Sequence, residues 1–170
     1  MKKNNRVLAI DPGTRYMGVA VLDGTKLAYY GVKTLSNRKL PHDILIEGRK
    51  TIRSLIEDFK PGTLAVEKTF FANNRNSALL NVFADEIVAT GKRKGLRVKL
   101  LAANVVRKEI CKNGWATKRE VAQEVCHRFP ELVPYLSSDR RWKEEFYLNM
   151  FDAVALGIAV SSTKDRSAKV

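Results

Sequence analysis

Two apolar runs near the start of the chain, Val7–Ile10 and Met17–Leu22, are joined by residues 11–16 alone, a stretch that contains Asp11-Pro12-Gly13. So short a connection has no room for a crossover helix, so two strands there must be antiparallel neighbours. Val7–Ile10 is apolar throughout, the pattern of a strand buried on both faces. Asp23-Gly24 then supplies a tight-hairpin signal, and Lys26–Lys33 alternates into a third strand. The chain therefore opens with three strands in hairpin order, and everything that follows must be built onto that small antiparallel sheet.

The period changes next. Ile44, Leu45, Ile52, Leu55, Ile56 and Phe59 fall at helical spacing among charged residues, which predicts a helix from about His42 to Phe59, ended by Pro61-Gly62. Leu64–Val66 reads as a fourth strand, Ala78 to about Lys92 as a second helix closed by Gly95, and Val98–Leu101 as a fifth strand. The remainder is helical. A short helix is expected near Val105–Ile110, one from Lys118 to about Arg128 behind a Thr117/Glu120 capping box, and a long one from about Trp142 to Val160. Hairpin strands followed by alternating helices and strands predict an α/β domain with a mixed sheet, in which ligands gather beyond the carboxyl ends of the parallel strands. One domain over residues 1–163 is expected, with a frayed polar tail, "STKDRSAKV", of which 164–170 lie outside the domain.

Charge narrows the partners. Lys and Arg number 31 against 18 Asp and Glu, a net charge of +13, which favours a polyanion. Nucleic acid fits better than an anionic membrane surface, because no basic amphipathic helix stands out. Cys111 and Cys126 form no CxxC pair; Cys126 adjoins His127, but the only other histidine is His42, so both read as reduced thiols near the core of a cytosolic protein. The basic opening "MKKNNRVLAID" carries too short an apolar run for a signal peptide, and no run reaches the length of a membrane span, so a cytoplasmic location is expected. Neither a GxSxG element nor a P-loop is present.

Three carboxylates stand out. Asp11 and Glu67 each follow a short apolar strand directly, so parallel neighbouring strands would deliver both to one sheet edge. Asp152 lies in "LNMFDAVALGIAV", on a helix otherwise nearly all apolar beyond it, where an unpaired charge would be costly. A shared hard cation, magnesium or manganese, would remove that cost. Each residue also fits a plainer role: Asp11 in a turn, Glu67 paired with Lys68 at a strand end, Asp152 partnered by an arginine.

"LAIDPGTRYMGVAV", "LAVEKTFFANNRNSALL", "NGWATKREV" and "DAVALGIAV" together resemble, in order, the motifs of the RuvC-type Holliday-junction resolvases, over roughly residues 6–162. The resemblance implies a ribonuclease-H-like fold: a five-stranded mixed sheet, three antiparallel strands then parallel ones, flanked by helices. It implies a homodimer that binds a four-way DNA junction and nicks two opposing strands symmetrically, using Mg2+ (Mn2+ as substitute), two ions per site. By motif position Asp11, Glu67 and Asp152 hold metal, and Lys118 lies near the scissile phosphate. Phe70 stacks on a base at the crossover, with Phe71 able to exchange roles, and Asn74, Arg75 and Arg107 contact DNA.

Two positions depart from the family pattern. Asn149 stands where the family has a further aspartate one helical turn before Asp152, and Glu145, on the same face, is the nearest substitute. "VFADE" at 82–86 replaces a glycine-rich Gln/Arg stretch, so contacts with substrate or partner subunit are expected to differ there. Rival readings are an RNA-processing nuclease of the YqgF type, which shares the opening motif, and a nucleic-acid-binding protein that kept the fold without a full metal set.

Overall fold

The computed structural model describes residues 4–35, 40–68, 75–136 and 141–167. Strands β1 (Arg6–Asp11), β2 (Tyr16–Asp23) and β3 (Lys26–Thr34) form the expected antiparallel meander. The β2–β3 hairpin closes Asp23 against Lys26 across a two-residue loop, and Gly24 supplies the positive φ of 61° that such a loop requires. Strands β4 (Thr63–Lys68) and β5 (Arg97–Ala102) add in parallel on the other side of β1, giving the order β3-β2-β1-β4-β5. β1 is the central strand of the sheet, and Val7–Ile10, apolar on both faces, are fully buried.

Alternation along the strands makes two cores of different character. Leu8, Ile10, Val19, Val21, Leu64 and Val66 face α1 (Pro41–Phe59) and α2 (Arg75–Arg93). Val7, Ala9, Ala20 and Ala65 face the other side, where α3 (Ala103–Cys111), α4 (Lys118–Arg128) and α6 (Arg141–Ser167) pack. Small residues on that second face let α6 lie close to the sheet. Gly157 of α6 rests on Leu22 and Ala9, where a Cβ would strike Leu22.

Several expectations are sharpened. α2 starts at Arg75, and α6 runs to Ser167, so the helix takes up part of the segment read as a tail. Apolar periodicity reports only the buried length of a helix, whereas its polar turns carry no such signal. A 3-10 turn at Pro130–Leu132 and the four-residue α5 (Val133–Leu136) are too short to show any period, yet Leu132 is fully buried. The "VFADE" segment has a structural role. The Phe83 ring fills the space left by Gly48, and Glu86 accepts hydrogen bonds from Arg49 (2.8 Å) and Arg93 (2.7 Å). Burial pushes the Glu86 carboxyl up, but those two guanidinium groups outweigh it and hold the group below its ordinary range. Cys126 is a buried core thiol and Cys111 is half-buried; both are free. No helix among the described residues is long and apolar enough to cross a membrane.

Candidate active site

β1 and β4 pair in parallel with Ile10 opposite Val66, so the next residues, Asp11 and Glu67, leave the sheet side by side at its carboxyl edge. Asp152 reaches the same place from α6. Its delivery depends on Gly18, which pairs with Asp11 across the β1–β2 ladder. A Cβ on Gly18 would collide with the backbone carbonyl of Asn149 and press on Ala153, so only glycine lets α6 touch the sheet at the level of Asp11. Gly18→Ala is expected to push α6 outward and destabilise the protein by about 1–3 kcal/mol, the cost of forcing extra volume into a packed contact. Chemical denaturation measures it, and an unchanged midpoint would show that the helix is not seated this way.

Charge at this edge is crowded. Asp152 is only 9% exposed. Burial, then the neighbouring charges of Glu67 and Asp152, hold the Asp11 carboxyl well above its ordinary value, with Lys118 pulling the other way. Burial and Asp152 raise Glu67 to about 7 against opposition from Lys118 and Arg107. Burial also raises Asp152, offset by the charge and hydrogen bond of Lys118 and by Arg107. The Lys118 Nζ donates to Asp152 Oδ2 at 2.5 Å. Burial disfavours that ammonium, but Asp152, Asp11 and Glu67 outweigh it, so Lys118 stays protonated above its ordinary range. Three carboxylates thus share one ammonium, with Arg107 of α3 as a second cation close enough to act on two of them.

This donor set suits a hard divalent cation: oxygens only, partly desolvated, with more negative than positive charge. Among the described residues no three Cys, His, Asp or Glu side chains already enclose an ion-sized space, and Lys118 holds Asp152 in the meantime. The partner of Asp152 is therefore a lysine, not the arginine that composition suggested. Motif resemblance had singled out Lys118 as a residue near the scissile phosphate, but not as the partner of Asp152.

Asn149 is half-buried, and its Nδ2 donates to the carbonyls of Glu145 (3.2 Å) and Phe146 (3.1 Å), so the amide is turned back onto its own helix. Glu145 is exposed further toward the start of α6. Phe70, Phe71 and Asn74 lie outside the described residues; Arg75 opens α2, but its side chain also lies outside them. Sequence reasoning did not find Gly18, nor the contact of Tyr16 with Phe146 (ring centroids 5.1 Å apart, edge to face) that helps pin the start of α6 to β2.

The family model for "Crossover junction endodeoxyribonuclease RuvC" matches residues 7–132, which include Asp11, Glu67, Arg107 and Lys118 and stop short of α6. The chain is 35% identical over 128 residues to the crossover junction endodeoxyribonuclease RuvC of Thermobifida fusca, covering 71% of this chain and 69% of that protein. It is 34% identical over 135 residues to the protein of the same name from Methylococcus capsulatus, covering 76% and 80%. The structure of Thermus thermophilus RuvC in complex with a Holliday junction substrate superposes with a TM-score of 0.75 at 21% identity, covering 95% of this chain and 96% of that one, so the shared fold extends through α6. The chain belongs to the RuvC family of crossover junction endodeoxyribonucleases.

Proposed function

We propose that this protein is a divalent-cation-dependent endodeoxyribonuclease that resolves four-way DNA junctions by paired symmetric nicks, acting as a homodimer in the cytoplasm. The observation that carries the reading is the meeting of Asp11, Glu67 and Asp152 at one sheet edge, with raised carboxyl groups and a single lysine among them. Mg2+, with Mn2+ as substitute and two ions per site, would be held by these three carboxylates with Asn149 as a neutral oxygen donor. When bound, the ions supply Lewis-acid polarisation of the scissile phosphate. The chain's own groups do the rest. Burial raises Asp11, Glu67 and Asp152 in the metal-free protein, with repulsion adding at Asp11 and Glu67, so taking up a divalent cation would require these carboxyl groups to ionise. Lys118 and Arg107 face the negative charge that a phosphate brings. Phe70 or Phe71, Asn74 and Arg75 extend the DNA contact beyond the described residues. The net charge of +13 supplies attraction for the rest of the duplex arms.

A second reading, junction binding with little cutting, is favoured by one observation: Asn149 spends its amide on helix carbonyls. An aspartate there has no hydrogen to give those carbonyls, so its carboxylate would be driven away from the helix backbone.

The assay offers a synthetic four-way junction, a linear duplex and an RNA hairpin, each with Mg2+, Mn2+ or chelator. Symmetric nicks in the junction alone, lost with chelator, are expected. Cutting of the hairpin instead would favour an RNA-processing role. Asn149→Asp is expected to raise cutting about 10- to 100-fold at limiting Mg2+, the scale on which ligand-shell changes alter metal sites. Tight binding without any cutting by the natural chain, restored by Asn149→Asp, establishes the second reading.

A further inference from the structure

The loop between α3 and α4, residues 112–117, holds the most exposed large apolar side chain among the described residues, Trp115, 92% exposed. Burying an indole is among the larger gains available to a folding chain, so one held in water calls for another occupant of its surface. Its mounting is rigid. Asn113 Oδ1 accepts from the Trp115 backbone N–H at 3.0 Å, and the Ala116 N–H bonds back to the Asn113 carbonyl at 3.3 Å. Gly114 lies against α3, where a Cβ would stand 3.3 Å from the Asn104 carbonyl oxygen and 3.9 Å from Lys108 Cβ. Ala116 is buried behind the indole, and Thr117 begins α4 through a complete capping box with Glu120. Only the indole is left out.

Its position gives the partner's chemistry. Lys118, whose ammonium holds Asp152, is three residues further on, a span of at most about 10 Å of chain. Lys108, Lys112 and Arg119 flank the loop in sequence, and Lys108 also lies against Gly114; Arg119 is paired with Glu144 at 2.6 Å, and Glu120 is occupied within the cap. A flat, uncharged ring on a loop bracketed in sequence by Lys108, Lys112, Lys118 and Arg119 matches a nucleobase whose own phosphates such cations attract. We infer that Trp115 is a stacking platform for an unpaired DNA base next to the candidate active site, distinct from Phe70 and Phe71. This rests on the proposed junction-cutting function for its substrate, but not for its readout.

Trp115 and Trp142 are the only tryptophans, so Trp142→Phe leaves Trp115 as the single reporter. In that background, indole fluorescence is followed on adding a short single-stranded oligothymidylate, a four-way junction or a linear duplex, in chelator. Quenching by the oligothymidylate and the junction, and less by the duplex, is expected. Trp115→Ala in the natural chain should weaken junction and single-strand binding about tenfold, in the range reported for base–aromatic stacks, while Trp115→Phe retains most of it and the melting temperature is unchanged. Unaltered binding by Trp115→Ala with no quenching overturns the inference even if the junction is bound and cut. Quenching by oligothymidylate with neither binding nor cutting of the four-way junction overturns the junction reading and leaves the platform standing. A change of oligomeric state on sedimentation of Trp115→Ala, with DNA binding intact, assigns the indole to a contact between copies and overturns it as well.

Discussion

Asp11→Asn is expected to lower junction cutting about 10²–10³-fold or more while junction affinity stays within a few-fold. The two quantities separate because they rest on different groups. Binding draws on phosphate contacts spread over a strongly basic surface, and one interior carboxamide leaves those in place. On the proposed function cutting depends on charge concentrated at the ends of β1 and β4, and Asp11 is the member that feels both Glu67 and Asp152. The substitution keeps the shape and removes the charge, so loss of packing does not enter. The ligand-free variant should also be more stable than the natural chain at neutral pH, because a buried carboxylate among like charges is gone. Equal losses of binding and cutting, with reduced stability, would assign Asp11 to the turn before Pro12-Gly13 and remove it from the chemistry.

The second large effect is a reversal of the pH dependence of stability by divalent cation. Glu67 has a folded value of about 7 against an ordinary 4.5, so the folded protein prefers it protonated. The stabilisation this brings is fully present below pH 4.5 and is lost as pH rises through about 7, at up to about 1.4 kcal/mol per pH unit between the two. Asp11 and Asp152 are also raised, which adds in the same direction. Without metal, the melting temperature should therefore fall between pH 5 and pH 7.5. On the proposed function Mg2+ or Mn2+ would bind the ionised carboxylates and the folded state only, so the stabilisation it gives should grow with pH over that same interval and be accompanied by proton release. Glu67→Gln should flatten the metal-free slope and weaken the response to cation. A natural chain whose melting temperature rises with pH in chelator would refute the crowded-carboxylate description, whatever its activity on DNA.

How much of this could be read along the chain depended on the range of the interaction. The strands were legible because burial on both faces leaves an unbroken apolar run, as at Val7–Ile10, and because hairpin loops have local chemistry, as at Asp23-Gly24. The α4 start was legible for the same reason, since Thr117 and Glu120 make their bonds within one turn. Asp11 and Glu67 were legible as a pair because strand ends and parallel order are enough to place two carboxylates at one edge.

Other features have no local cause. That Lys118 holds Asp152 joins residues far apart in sequence, and nothing near either one chooses lysine over the many arginines. The orientation of Asn149 depends on the carbonyls its own helix leaves open, and that helix's depth depends on a glycine on a strand far earlier in the chain. The length of α6 beyond its apolar portion and the role of "VFADE" in tying α1 to α2 likewise came from packing. By itself, then, the sequence determined the element order, the central strand and which acids could meet, since short-range sterics and hydrophobic alternation act along the chain. Only the tertiary structure decided how deeply α6 sits at Gly18, which cation answers Asp152 and which indole stays in water, because those follow from surfaces that come together only when the sheet and helices close.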